Sequence, residues 1–123
     1  PKAQSVPTVK SFKDSSEAIS ALQCVFLDSD TTVGVADNNT SPKEYVFGVA
    51  ISSAVAAGIQ VEIVNYGQIF DAFFTFGANA QLYLGLSGVI TDIPPLTGNR
   101  TIIGKGLGIG SIFVNITEPI QLI

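Results

Sequence analysis

The ionisable side chains that could carry chemistry in this chain are ten carboxylates, six Lys or Arg residues and a single thiol. The sequence contains no histidine. A Ser-His-Asp or Cys-His nucleophile needs an imidazole to move the proton. A structural zinc site needs Cys and His ligands in number. Both kinds of site are therefore excluded. Cys24 lies within the apolar run LQCVFL and is predicted to be a buried, inert thiol.

Two short motifs suggest ligand sites, and both fail on spacing. In the run GKGLGIG, the third glycine of a dinucleotide-binding G-x-G-x-x-G would fall on Ile109, and Gly106 stands where a phosphate loop needs Ser or Thr. Asp28, Asp30 and Asp37 resemble part of a calcium loop, but the Gly and distal Glu of an EF-hand are absent. No catalytic residue, cofactor or metal is predicted, and paired carboxylates as in glycosidases stay open among the ten acids.

Phenylalanines lie close together in the segment FDAFFTF, which begins at Phe70 and ends at Phe76. Exposed rings of this kind can stack on sugars or contact a protein partner, and Phe70 and Phe73 are the candidates for that role. Phenylalanines of both parities also fit a buried core. The segment is therefore predicted to be either a binding surface or part of the core.

The composition indicates one domain with a sparsely charged surface. Hydrophobic residues make up 46% and charged residues 13% of 123 residues, a balance that often accompanies contact with another protein. A net charge of −4 argues against duplex nucleic acid as a partner. No apolar run reaches the ~18 residues of a membrane span. The start Pro-Lys-Ala fits removal of an initiator Met, so synthesis in a cytoplasm is expected.

Residues 1–14 differ from the rest and are predicted to form an extended N-terminal arm. They carry three lysines and one aspartate, a local charge of +2, and two prolines that disfavour a helix. Such an arm is either a frayed terminus or a strand that pairs with a partner. The candidate partner contacts in the second case are Lys2, Val6, Val9, Lys10 and Lys13.

Residues 15–123 are predicted to form a single all-β domain, a small barrel or sandwich of short hairpins with at most one short helix. The helix signal covers 15–22, where Ser15 or Ser16 can cap and Glu17 stands in the first turn. After residue 22, runs rich in Val, Ile, Phe and Tyr are broken by turn residues at intervals of roughly 8 to 12 residues. The predicted strands span 23–28, 32–36, 45–51, 59–66, 68–76, 80–84, 88–91, 100–108 and 111–116.

Turn residues predict hairpins in LDSDTTVGVAD, LYLGLSGVITD and IIGKGLGIGSIFVNI. The stretch AISSAVAAGIQV is predicted to be a loop across one end of the barrel. Alternate glycines from Gly104 to Gly110 would leave one strand face without side chains, so a neighbouring backbone or ring is expected against it. Pro94 and Pro95 fix φ and predict a structural corner.

Three long segments resemble a recurrent module of tailed-bacteriophage virion proteins: YVFGVAISSAVAAGIQVEIVNYGQIFD, LYLGLSGVITDIPPLTG and IIGKGLGIGSIFVNITEPI. An earlier segment, ALQCVFLDSDTTVGVADNN, is similar to the opening of small capsid-decoration and fibre-attachment proteins. The resemblance covers roughly residues 18 to 120. The chain departs from it at FDAFFTFGANAQ, where related modules tend to have Trp and Pro.

The resemblance implies a non-enzymatic virion structural protein, a capsid decoration or cement protein that binds the major capsid protein or another virion protein. It also implies a homo-oligomer, with a trimer favoured, that is made in the host cytoplasm and located in the virion. The alternative is a receptor- or glycan-binding adaptor of a fibre, collar or tail that uses the aromatic residues from Phe70 to Phe76. A small hydrolase with unidentified acids is the third alternative.

Overall fold

The fold is given by a computed structural model that describes residues 8–121. This part of the chain contains eleven strands and a single 3₁₀ turn, at Leu86–Gly88. The strands are β1 (Val9–Ser15), β2 (Cys24–Leu27), β3 (Thr32–Val35), β4 (Val46–Ala50), β5 (Gln60–Phe70), β6 (Gln81–Leu84), β7 (Ile90–Thr91), β8 (Asn99–Arg100), β9 (Ile102–Gly106), β10 (Ser111–Asn115) and β11 (Ile120–Gln121). The predicted all-β class is confirmed.

The first five strands close into a small barrel. Their order is β1-β3-β2-β4-β5, and β5 pairs back to β1 to complete the ring. The β1–β3 pair is parallel and the other four pairs are antiparallel. Five strands leave a narrow interior, which small and β-branched side chains can fill. The buried cluster of this interior comprises Ile19, Val25, Val33, Ala50, Ala54, Val61 and Ile63.

A second layer grows from the long strand β5. The part of β5 from Gln60 to Tyr66 pairs with β1, and the part from Tyr66 to Phe70 pairs with β10. The sheet then continues in the order β5-β10-β9-β6-β7. This layer covers the outer side of the barrel, and the larger core lies between them. Its buried members are Cys24, Phe26, Ala36, Val49, Val64, Ile69, Phe74, Leu82, Leu84, Ile90, Ile103, Ile112 and Val114.

The helix predicted for 15–22 is wrong. Ser15 ends β1, and Ile19 forms a bridge with Ala54 in which each backbone N–H donates to the other carbonyl at 2.8 Å. The carboxylate of Glu17 accepts the N–H of Val35 at 2.9 Å instead of standing in a first helical turn. An isolated helix of two turns is marginal in water. Burial of Ile19, which is 2% exposed, against the barrel is the stronger effect.

The predicted N-terminal arm differs from the structure over residues 9–14, which belong to β1. Val9 to Asp14 pair with β5 along its length, so the strand closes the barrel of its own chain. The ammonium group of Lys10 lies 2.9 Å from the carboxylate of Glu62, and that of Lys13 donates to the carbonyl of Asp30 at 2.8 Å. Lys2 and Val6, the other two predicted charged and apolar contacts of the arm, lie outside the described residues.

Several strand boundaries also need correction. The strands predicted at 59–66 and 68–76 are one strand that ends at Phe70, because Gly67 does not break it. A Cβ at Gly67 would lie 2.9 Å from the Cα of Thr8, so glycine lets the start of β1 approach β5. The strand predicted at 100–108 is divided between β8, which pairs with β11, and β9.

The local turn predictions are confirmed. The hairpins β2–β3, β6–β7 and β9–β10 are antiparallel pairs, and 51–59 is a loop. The close approach predicted for the glycine run is confirmed at Gly104, where a Cβ would meet the carbonyl of Phe113, and at Gly106, where it would meet the carbonyl of Gly77. It is wrong for Gly108 and Gly110 in the turn, where a Cβ would have open space around it. Residues 92–98, which include both prolines, form the irregular corner between β7 and β8.

Candidate partner-binding site

Among the described residues, no group of three or more His, Cys, Asp or Glu side chains is placed to hold a metal ion. The thiol of Cys24 is fully buried, and desolvation raises its pKa far above the ordinary value, so the predicted inert state is supported. In residues 8–121, no helix has the length and apolar character needed to cross a membrane.

Three large apolar side chains are exposed where the end of β5 meets the β9–β10 hairpin. Phe70, Phe73 and Ile109 are 74%, 72% and 84% exposed. Phe70 is the last residue of β5, Phe73 follows it in the loop, and Ile109 is the tip of the β9–β10 hairpin. We call these three residues the apolar end.

Backbone hydrogen bonds join the two loops of the apolar end. The N–H of Asp71 donates to the carbonyl of Gly110 at 2.9 Å, and the N–H of Gly110 donates to the carbonyl of Phe74 at 2.7 Å. The carboxylate of Asp71 accepts the N–H of Phe73 at 2.8 Å, as in an Asx turn. Phe74 is 1% exposed and anchors the loop in the core. These hydrogen bonds and the buried Phe74 fix the backbone that carries Phe73 and Ile109.

The phenylalanine segment is divided between the core and the surface. Phe74 is core and Phe76 packs against it, whereas Phe70 and Phe73 face outward. Sequence reasoning missed Ile109. Its signal was an apolar residue between two glycines of a turn, where a polar residue is usual. Gly108 and Gly110 adopt φ values of 102° and 97°, which hold Ile109 at the tip.

A groove of about 510 Å³ lies beside the apolar end. Its floor includes Leu22, Val64 and Ile69, and its rim includes Phe70 and Lys10. The structure thus brings together two of the predicted partner contacts, Phe70 and Lys10, at one concave surface. Three predicted contacts in the described chain do not line this groove. Phe73 belongs to the apolar end, Val9 is half exposed opposite Tyr66, and Lys13 lies beside the β2–β3 turn.

Four further large apolar side chains are exposed in the β6–β7 turn and in the proline corner. Leu86 and Val89 are 58% and 53% exposed, and Ile93 and Leu96 are 71% and 89% exposed. We call these four residues the corner surface. The turn with Leu86 and Val89 follows the end of β6, whereas the apolar end adjoins the start of that strand.

Comparisons with protein-family models, with curated proteins and with solved structures find no match to this chain.

Proposed function

We propose that the chain is a non-enzymatic structural protein of a phage virion, a decoration protein that binds the capsid exterior through the apolar end and the adjoining groove. The observation that carries the proposal is the exposure of Phe70, Phe73 and Ile109 on loops that hydrogen bonds hold in place. Large exposed apolar groups in a water-soluble chain mark contact surfaces. The resemblance to virion modules is the reason for proposing a capsid as the partner.

The energetics favour several copies acting together. Burying one such side chain contributes about 1.5–3 kcal/mol, whereas association of two bodies costs about 4–15 kcal/mol. A single apolar end therefore supports weak attachment. Linked copies that bind the same particle raise the effective concentration of each, which strengthens attachment without new contacts.

We infer that this linkage is a homotrimer formed through the corner surface. Its four apolar side chains are exposed on a chain with few charges, and closed assembly would bury them. Light scattering is expected to give three times the chain mass, and Leu96→Asp is expected to lower it. Val55→Asp, on an equally exposed side chain in the 51–59 loop, is the control. A single 12.8 kDa species at tens of micromolar would contradict self-association.

The attachment proposal is tested by co-sedimentation with expanded heads of the phage that encodes the chain, purified without it. We expect the native chain to pellet with heads and the double variant Phe70→Ala, Phe73→Ala to bind at least about tenfold more weakly. Val55→Ala should bind like the native chain because Val55 lies at the other end of β5. Equal binding by the double variant would overturn the proposed surface. Binding to host glycans instead of heads would favour the fibre adaptor.

A further inference from the structure

The outer face of the second layer has a composition unlike the apolar end. Cross-strand register places Gln68, Phe113, Lys105 and Gln81 in one row across four strands. Tyr66 and Asn115 are opposite each other in a neighbouring row. We call these six residues the amide face.

The amide face is directed away from the core. Alternate residues of a strand point to opposite sides, and the intervening residues Ile69, Ile112 and Val114 are buried between the layers. Gln81, Lys105 and Asn115 are exposed, and Tyr66 is 38% exposed. The face therefore offers amides and rings to solvent, with one charged group.

Two hollows lie on either side of Asn115 and Thr117, which line both. The hollow of about 230 Å³ also contains Tyr45, Tyr66 and Glu118. The hollow of about 340 Å³ also contains Asn79, Gln81, Lys105 and Phe113. Small-molecule sites usually measure about 300–1,000 Å³. One hollow lies below this range and the other near its lower limit, so each has room for no more than a single small ring. Two adjacent hollows suit two linked rings.

The rings of this surface have a fixed arrangement. Tyr66 and Phe113 meet edge to face, with centroids 5.2 Å apart and planes at 79°, so the two rings present different aspects to a ligand. A sugar hydroxyl both donates and accepts hydrogen bonds, and an amide side chain can form either kind with it. The single cation, Lys105, is matched by the carboxylate of Glu118 in the other hollow, so the surface has no net preference for charge.

We propose that the amide face binds a neutral oligosaccharide, with sugar rings in the two hollows, aromatic contact from Tyr66 and Phe113, and hydroxyl groups bonded by Gln81 and Asn115. This proposal does not rest on the decoration function. Its six residues are distinct from the three of the apolar end, Gln68 is shared with the adjoining groove, and its ligand belongs to a different class.

The test is a titration of ¹⁵N-labelled protein with maltotriose, cellotriose, mannotriose and chitotriose. We expect at least one to shift the backbone signals of β5, β9 and β10 and the side-chain amide signals of Gln81 and Asn115. Tyr66→Ala should weaken that binding at least tenfold, whereas Tyr66→Phe, which keeps the ring, should restore most of it. Phe12→Ala, on an exposed ring of β1 outside this face, should leave it unchanged.

The proposal is overturned if none of the four sugars shifts these signals, if the shifts map elsewhere, or if Tyr66→Ala binds as the native chain does. No capsid is present in this experiment, so its failure is separate from failure of the decoration proposal.

Discussion

Phe73 and Phe74 touch edge to face with ring centroids 6.0 Å apart, yet one ring is 72% exposed and the other 1%. Truncating the two rings should therefore change the free energy of unfolding by very different amounts. Phe74→Ala leaves a cavity between the layers and should lower the free energy of unfolding by about 3–5 kcal/mol. Phe73→Ala should change it by no more than about 0.5 kcal/mol. Urea denaturation measures both, and equal losses would contradict the inward and outward assignment.

Gly104 should not tolerate a methyl group. Its Cβ would meet the carbonyl oxygen of Phe113 on the paired strand, and its φ is 157°. Gly104→Ala should destabilise the fold by about 3 kcal/mol or more, because backbone must move to relieve the contact. Gly77→Ala is the control, since its Cβ would have open space around it. Thermal unfolding of the two variants should separate them clearly, and similar melting temperatures would contradict the close approach of β9 to β10.

Removal of residues 1–14 should abolish the cooperative fold. It deletes β1 apart from Ser15 and leaves the facing edges of β3 and β5 unpaired. Exposed edges of this kind promote aggregation. A chain that lacks only residues 1–7 keeps all of β1 and is the reference. Circular dichroism melts and dye binding to exposed apolar surface report the difference. An unchanged melt for the longer deletion would show that closure by β1 is dispensable.

Stability should fall in alkaline solution through Cys24. Burial raises the pKa of this thiol above its ordinary value of 9.0. Above about pH 9 the unfolded chain loses a proton that the folded chain retains, so the free energy of unfolding decreases by about 1.4 kcal/mol per pH unit. Below that pH the contribution is complete. Cys24→Ala should lack this component, so the difference in stability between the two proteins should change with pH only above 9. A constant difference up to pH 10.5 would contradict it.

Apart from the all-β class, the features predicted correctly from the sequence are local ones. The hairpin turns, the loop at 51–59 and the proline corner depend on residues within a few positions of one another. Closure of the barrel was not predictable in this way, because Val9 meets Tyr66 far along the chain. The same limit applies to the candidate site. Phe70 and Phe73 could be named as candidates, but their separation from Phe74 depends on where β5 ends, and Ile109 reaches them only through the β9–β10 hairpin.

The position of β5 in both layers has a consequence during synthesis. β1 leaves the ribosome before the other described strands, yet its longest pairing is with β5, and the core around Val64 is complete only when β10 supplies Ile112 and Val114. Pairing between distant segments is slow, because loop-closure entropy is lost before the contacts form. A nascent chain that ends before β10 has no complete core between its layers. Folding of this protein is therefore expected to finish after translation has passed its last strands.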